Sequence, residues 1–133
     1  MKPLNVLVID NEDVICKACH LVLTEQGHAV DYCKTGKTGL LAMKQSMYDL
    51  VLLDMKLPDM DGMDILRSLK HEMPPLRVIV MTGYSTLSNA VQAMKLGAAD
   101  YLSKPFTDDE LVQAVEKVFE VNRLRGGMRS DFA

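Results

Sequence analysis

Five short apolar runs, each followed by a segment with helical spacing, constrain the fold of this chain more than any other feature. The runs are NVLVI (5–9), AVDYC (29–33), LVLL (50–53), RVIVMT (77–82) and DYLSK (100–104). The first, third and fourth are nearly continuous in Val, Leu and Ile, the pattern of parallel strands buried on both faces. After the first run, Glu12 or Asp13 can cap a helix carrying Val14, Ala18, Leu21 and Val22 and ending at Gly27. A second helix is expected over about 36–46, with Leu40, Leu41 and Met43 toward the core. A third runs from about Met63 to His71 and is stopped by Pro74 and Pro75. A fourth spans about Thr86 to Leu96 and ends at Gly97. The fifth, from Asp108 to about Asn122, would bury Leu111, Val115, Val118 and Phe119 at helical spacing.

Strict alternation of strand and helix gives an α/β fold with a parallel sheet. Right-handed crossovers place helices on both faces. Five strands are too few for an eight-stranded barrel, so an open doubly wound sheet is left. Such sheets bind ligands beyond the carboxyl ends of their strands. Asp10, Asp54, Thr82 and Lys104 all stand at or just after such ends. The alternation alone therefore gathers four polar residues on one rim.

Composition narrows what the rim can serve. The chain has 133 residues, 48% hydrophobic and 25% charged, enough apolar content for one well-packed domain. A net charge of −3 leaves no basic footprint for nucleic acid. The apolar runs are far too short to cross a membrane. The opening MKPLNVLVID lacks the apolar stretch and cleavage site of a signal peptide, so a cytoplasmic location is expected. Three cysteines, Cys16, Cys19 and Cys33, then read as reduced thiols. The tail RLRGGMRSDFA, from Arg123, reads as a linker: Gly126 and Gly127 are expected to break any helix. The expected division is a domain over 1–122 and a linker-like tail over 123–133, the start of a connection within a longer regulator.

Carboxylates crowded in a partly dry pocket repel one another unless a cation intervenes. Lys104 supplies one positive charge, and a divalent cation would supply more. Oxygen ligands with room for water suit Mg²⁺, which in turn favours phosphate oxygens. A carboxylate beside Mg²⁺, a Lys and a Thr hydroxyl is equipped to accept a phosphoryl group, a reaction that mainly requires positioning and charge stabilisation. A single Asp ending a strand is usually a turn former or helix cap. Two such ends with a Lys and a Thr, each closing a different strand, are not explained that way.

The segments VLVIDNED, LVLLDMKLPDMDG, VIVMTGYS and GAADYLSKPF carry a resemblance to the receiver domain of two-component response regulators, over about residues 4–122. Within that family, MTGYSTLSNAVQAMKLGAADYLSKPF is most similar to receivers of alternative-sigma-factor transcription activators. The resemblance implies a flavodoxin-like (βα)5 fold with strand order 2-1-3-4-5. It implies Asp54 as the residue phosphorylated by a sensor histidine kinase, Lys104 and Thr82 as contacts to the phosphoryl group, and Tyr101 as a rotamer switch. It implies Mg²⁺ held by Asp10, Asp54, Asn11 and the Lys56 carbonyl, and a cis Lys104–Pro105 bond. It implies output through the surface of the fourth helix, fifth strand and fifth helix, toward an output domain, a partner protein or a second copy, in transcription. The module is expected to be regulatory rather than an enzyme, with at most self-phosphorylation and autodephosphorylation. One residue departs from the pattern. Asn11 stands where the family usually has a second Asp, which removes one negative charge; whether Glu12 replaces it depends on its direction. The alternative that Asn11 supports is a pseudo-receiver, a binding module that is not phosphorylated.

Other signals weigh less. CKACH (16–20) matches a c-type haem attachment pattern, but it lies inside the first helix of an unexported chain, so Cys16 and Cys19 read as buried small hydrophobes. GKTG (36–39) would end a P-loop only with Gly at position 31, which is Asp. DMDG (59–62) resembles a phosphatase motif, yet its strand ends five residues earlier at Asp54, so LPDMDG reads as a turn. Met43, Met81 and Met94 read as core filler, and His20, His28 and His71 as surface or loop residues.

Overall fold

The computed structural model describes the backbone of residues 1–83 and 86–132 and the side chains of residues 1–83 and 86–120. Its elements are β1 (Asn5–Ile9), α1 (Asp13–Glu25), β2 (Ala29–Cys33), α2 (Gly36–Gln45) and β3 (Leu50–Asp54), then α3 (Gly62–Glu72), β4 (Arg77–Thr82), α4 (Leu87–Lys95), β5 (Asp100–Ser103) and α5 (Asp108–Phe132). The strands form one parallel sheet in the order β2-β1-β3-β4-β5. This is the expected flavodoxin-like fold.

Side chains on each strand alternate between two cores. Val6, Val8, Leu50, Leu52, Ile79 and Met81 meet α1 and α5 on one face. Leu7, Ile9, Val51, Leu53, Val78 and Val80 meet α2, α3 and α4 on the other. At roughly 1.5–3 kcal/mol for each large apolar side chain removed from water, these two layers supply the main drive to fold. The caps are local. Thr35, Asp61 and Thr86 each accept an amide of the first turn of α2, α3 and α4. Thr107 and Glu110 form a reciprocal box at the start of α5. Gly27 (φ 92°) and Gly97 (φ 106°) turn the chain after α1 and α4, a backbone conformation that other residues adopt at a cost.

Several expectations need correction. Val14 (76% exposed) and Leu21 (61% exposed) lie on the outer side of α1, while Cys16, Cys19, Val22 and Leu23 face the sheet. Both stripes satisfy helical spacing, and the thiols pack as small hydrophobes. Cys16 and Cys19 thus point into the core and His20 is exposed, an arrangement that offers no haem seat. Leu41 and Met94 are exposed, whereas Met43 and Met81 are core residues as expected. His28 does lie in a loop but is buried, where its Nδ1 accepts the Leu4 amide at 3.0 Å. Finally, α5 continues to Phe132, past Gly126 and Gly127. Glycine disfavours a helix interior by about 1 kcal/mol relative to Ala, which weakens a helix without ending it.

Candidate functional site

The rim is built from the last residues of four strands. Asp10 follows β1 directly, and its amide donates to the Cys33 carbonyl at 3.0 Å, continuing the ladder toward β2. Asp54 closes β3 in register with Met81, and Thr82 closes β4 in register with Ser103. Lys104 follows β5, tied to its neighbour by its amide donating to the Thr82 carbonyl at 2.9 Å. The Lys104–Pro105 peptide bond is cis.

These positions bring two acids and one cation together. Lys104 Nζ lies 2.6 Å from Asp10 Oδ2 and 3.6 Å from Asp54 Oδ2. Asp10 is fully buried, Asp54 is 3% exposed and the Lys104 side chain 9%. Glu12 Oε1 also approaches Lys104 Nζ, at 3.6 Å. Although Glu12 is the N-cap residue of α1, its side chain caps no amide. Its own amide donates instead to Asp10 Oδ1 at 2.8 Å.

Burial raises the Asp10 carboxyl above the usual range, and the Asp54 charge adds to this, against the pull of Lys104 and the Glu12 amide. Lys104 shifts upward too. Burial alone would lower it, but contact with Asp10 and the charges of Asp54 and Glu12 outweigh that. Asp10 Oδ2 is fully enclosed, and the Lys104 ammonium at 2.6 Å is its partner. Two buried carboxylates that share one ammonium leave room for a further cation. Among the described residues, no group of three or more His, Cys, Asp or Glu side chains is placed to hold a metal. A cation here would therefore draw on neutral oxygens and water as well as the two carboxylates, a donor set that fits Mg²⁺.

The neighbouring loop shapes the approach to Asp54. The Lys56 amide donates to Asp54 Oδ1 at 3.2 Å. Met55 and Gly62 close the loop base, with the Gly62 amide donating to the Met55 carbonyl at 3.3 Å. A side chain at position 62 would meet Met55 Cα at 2.5 Å, so glycine is required. Beside this loop lies an open cleft of about 650 Å³ between α3 and α4, with Lys56, Thr82, Asn89 and Gln92 among its lining residues.

A family model for the response regulator receiver domain matches residues 6–116. This chain belongs to that family. It is 35% identical over 114 residues to the transcriptional regulatory protein ZraR of Escherichia coli (strain K12), covering 86% of this chain and 26% of that one. It is 33% identical over 119 residues to the alginate biosynthesis transcriptional regulatory protein AlgB of Pseudomonas syringae pv. tomato, covering 90% and 27%. The chain thus spans about a quarter of the length of these curated relatives. A CheY-like receiver domain protein from Methanospirillum hungatei superposes with a TM-score of 0.85 at 29% identity, over 92% of this chain and 98% of that one. The receiver fold therefore extends over nearly all of this chain.

Within this receiver, Asp10, Asp54 and Lys104 meet in one cluster, and Thr82, buried at 1% exposure, borders it through the Lys104 amide. Tyr101 is partly buried against the α2–α3–α4 layer, one strand from Thr82. Lys56 sits against Asp54 through its backbone. Asn11 is exposed. The approach of Glu12 to Lys104 had no sequence signal beyond its neighbourhood to Asp10. Among the described residues, no helix is long and apolar enough to cross a membrane.

Proposed function

We propose that this receiver is a phosphorylation-operated switch, in which Asp54 accepts a phosphoryl group from a sensor histidine kinase with the help of Mg²⁺. The observation that carries the reading is the contact of Lys104 Nζ with both Asp10 and Asp54 inside a nearly solvent-free rim. Asp54 presents its carboxylate at the end of the central strand, with Oδ1 oriented by the Lys56 amide. Lys104 stabilises negative charge that develops on the transferred group. When bound, Mg²⁺ would offset charge on the phosphoryl oxygens; Asp10, Asp54, the Lys56 carbonyl and Asn11 are the residues to hold it. Glu12 stands close enough to Lys104 to restore part of the charge that Asn11 lacks, which favours a working site over a pseudo-receiver.

Once Asp54 carries the phosphoryl group, Lys104 gains a further anion to pair with, and Thr82 a strong acceptor for its hydroxyl. Thr82 moving inward would let Tyr101 turn toward it. That biases two conformations of the surface made by α4, β5 and α5, by the difference in their interaction with the phosphoryl group. Leu87, Val91 and Met94, exposed on α4, supply an apolar face for an output domain, a partner or a second copy. Output in transcription rests on the named relatives, and a cytoplasmic setting on the kinase partnership. Residues 1–122 would act as the receiver and 123–133 as the connection onward, in keeping with the family match ending at residue 116.

The test is incubation with a small acyl phosphate and Mg²⁺, followed by mass spectrometry. One added phosphoryl group on Asp54, absent in Asp54→Asn, is expected. Undiminished labelling of the variant would refute the assignment, and continuous release of phosphate with no labelled protein would indicate a hydrolase.

A further inference from the structure

The loop from Met55 to Gly62 is tied at its base to Asp54, but its far end is held from another part of the chain. Asp59 Oδ1 accepts the Gly36 amide at 2.8 Å, and Asp59 Oδ2 accepts the Lys37 amide at 2.9 Å. Both amides belong to the first turn of α2, where four backbone N–H groups lack helical partners and the helix dipole favours an anion. Those two bonds hold the Asp59 carboxyl below its usual range, so it is ionised at neutral pH. Position 36 is a glycine packed closely against Met60 of the loop and Ile65 of α3. A side chain there would meet Ile65 Cδ1 at 2.8 Å and Met60 Sδ at 2.9 Å. Thr35 caps the same helix independently, accepting the Thr38 amide at 3.1 Å.

We propose that Asp59 is a positioning residue for the phosphoacceptor: its two-pronged grip on Gly36 and Lys37 clamps the far end of the 55–62 loop to α2, and so fixes the Lys56 backbone against Asp54. The loop is anchored at its base by Met55 and Gly62, and an isolated bridge joins Lys56 to Asp61 within it. A loop fixed at its base alone can still swing about that base. Lys56 lies between the base and the clamp, and both its amide and its carbonyl move with the loop. The part of this inference that concerns Mg²⁺ rests on the proposed function; the part that concerns loop order does not.

The experiment compares the intact chain with Asp59→Ala and Asp59→Asn. The amide variant keeps size and one acceptor oxygen but turns an NH₂ donor toward one of the two amides. Amide hydrogen exchange without any metal is the primary readout. Exchange at Lys56 and Gly62, whose amides donate to Asp54 Oδ1 and the Met55 carbonyl, is expected to quicken several-fold in both variants, with exchange in β1, β3 and β4 unchanged. Calorimetric titration with Mg²⁺ alone is the second readout. The dissociation constant is expected to rise about three- to ten-fold, below or at the lower end of the range for groups bonded directly to a metal ligand. Thr35→Ala is the control, since it weakens α2 while leaving the Asp59 grip in place. If Asp59→Ala lowers thermal stability but leaves loop exchange unchanged, or if Thr35→Ala quickens the loop equally, the clamp is refuted. If loop exchange responds but the intact chain takes up neither Mg²⁺ nor a phosphoryl group, the clamp stands and the functional reading falls. Gly36→Ala gives an independent check by pressing on Met60 and Ile65, and should quicken the same loop.

Discussion

At the amino-terminal edge of the sheet, His28 is 7% exposed and its Nδ1 accepts the Leu4 amide. At the opposite rim, Asp10 is fully buried and its Oδ2 meets the Lys104 ammonium at 2.6 Å. Both residues are polar and both are enclosed, yet their environments pull in different directions. His28 exchanges water for a backbone partner and stays neutral; burial, with the charge of the chain's amino group, keeps its pKa below 6.5. Asp10 loses water and gains a neighbouring like charge, with Lys104 as partial compensation. The first arrangement favours folding, whereas the second sets aside stability at the strand ends, where the proposed phosphoacceptor site lies.

The comparison can be broken most forcefully at Lys104. Lys104→Met removes the cation shared by Asp10 and Asp54, and phosphorylation by a small acyl phosphate should slow by about 100- to 1,000-fold. A loss under about ten-fold would show that the ammonium contributes little at the rim. At the other edge, His28→Ala leaves the buried Leu4 amide unpaired and should destabilise the fold by about 1–3 kcal/mol in urea unfolding, with no change in phosphorylation at saturating donor. Asp10→Asn should do the reverse. It should raise stability at neutral pH, because burial of the charged form is relieved, while lowering Mg²⁺ affinity. A stability loss from Asp10→Asn would mean that the pairing with Lys104 outweighs desolvation.

Smaller effects appear on titration. For His28 the folded pKa lies below the ordinary 6.5, so its contribution is fully present above about pH 6.5. As pH falls toward the folded value, the unfolded chain takes up the proton first and stability drops. For Asp10 the folded pKa lies above 3.8, so the sign is opposite: stability is regained as pH falls through that value. Urea unfolding between about pH 7.5 and 5 should therefore show a decline that is reduced in His28→Gln. Identical slopes in the two proteins would remove His28 from the account.

The rim was legible in the sequence because strand ends are local. Asp54 follows LVLL directly, and Lys104 and Thr82 close their own runs, so alternation places them without any long-range information. The buried face of α1 was not legible. A stripe through Val14 and Leu21 and one through Cys16, Cys19 and Leu23 both have helical spacing, and contact with β1 and α5 decides between them. The burial of His28 was missed for a related reason: its partner is the Leu4 amide, 24 residues away. Asp59 looked like one more turn residue in LPDMDG, since its contacts with α2 cross 22 and 23 residues. The direction of Glu12 depends on where Lys104 arrives, which follows from the order of β5 in the sheet.

The sheet divides the hydrophobic interior into two layers, one against α1 and α5 and the other against α2, α3 and α4. Substitutions in separate layers have no shared neighbours, so their costs should add to within about 0.5 kcal/mol. Leu23→Ala with Leu66→Ala is such a pair. A lineage can therefore drift in the packing of one layer without compensating changes in the other, and an engineer can redesign one while leaving the second as found. The strand ends set the limit of that freedom, for there Asp10, Asp54 and Lys104 contact one another, and a change in one is felt by the other two.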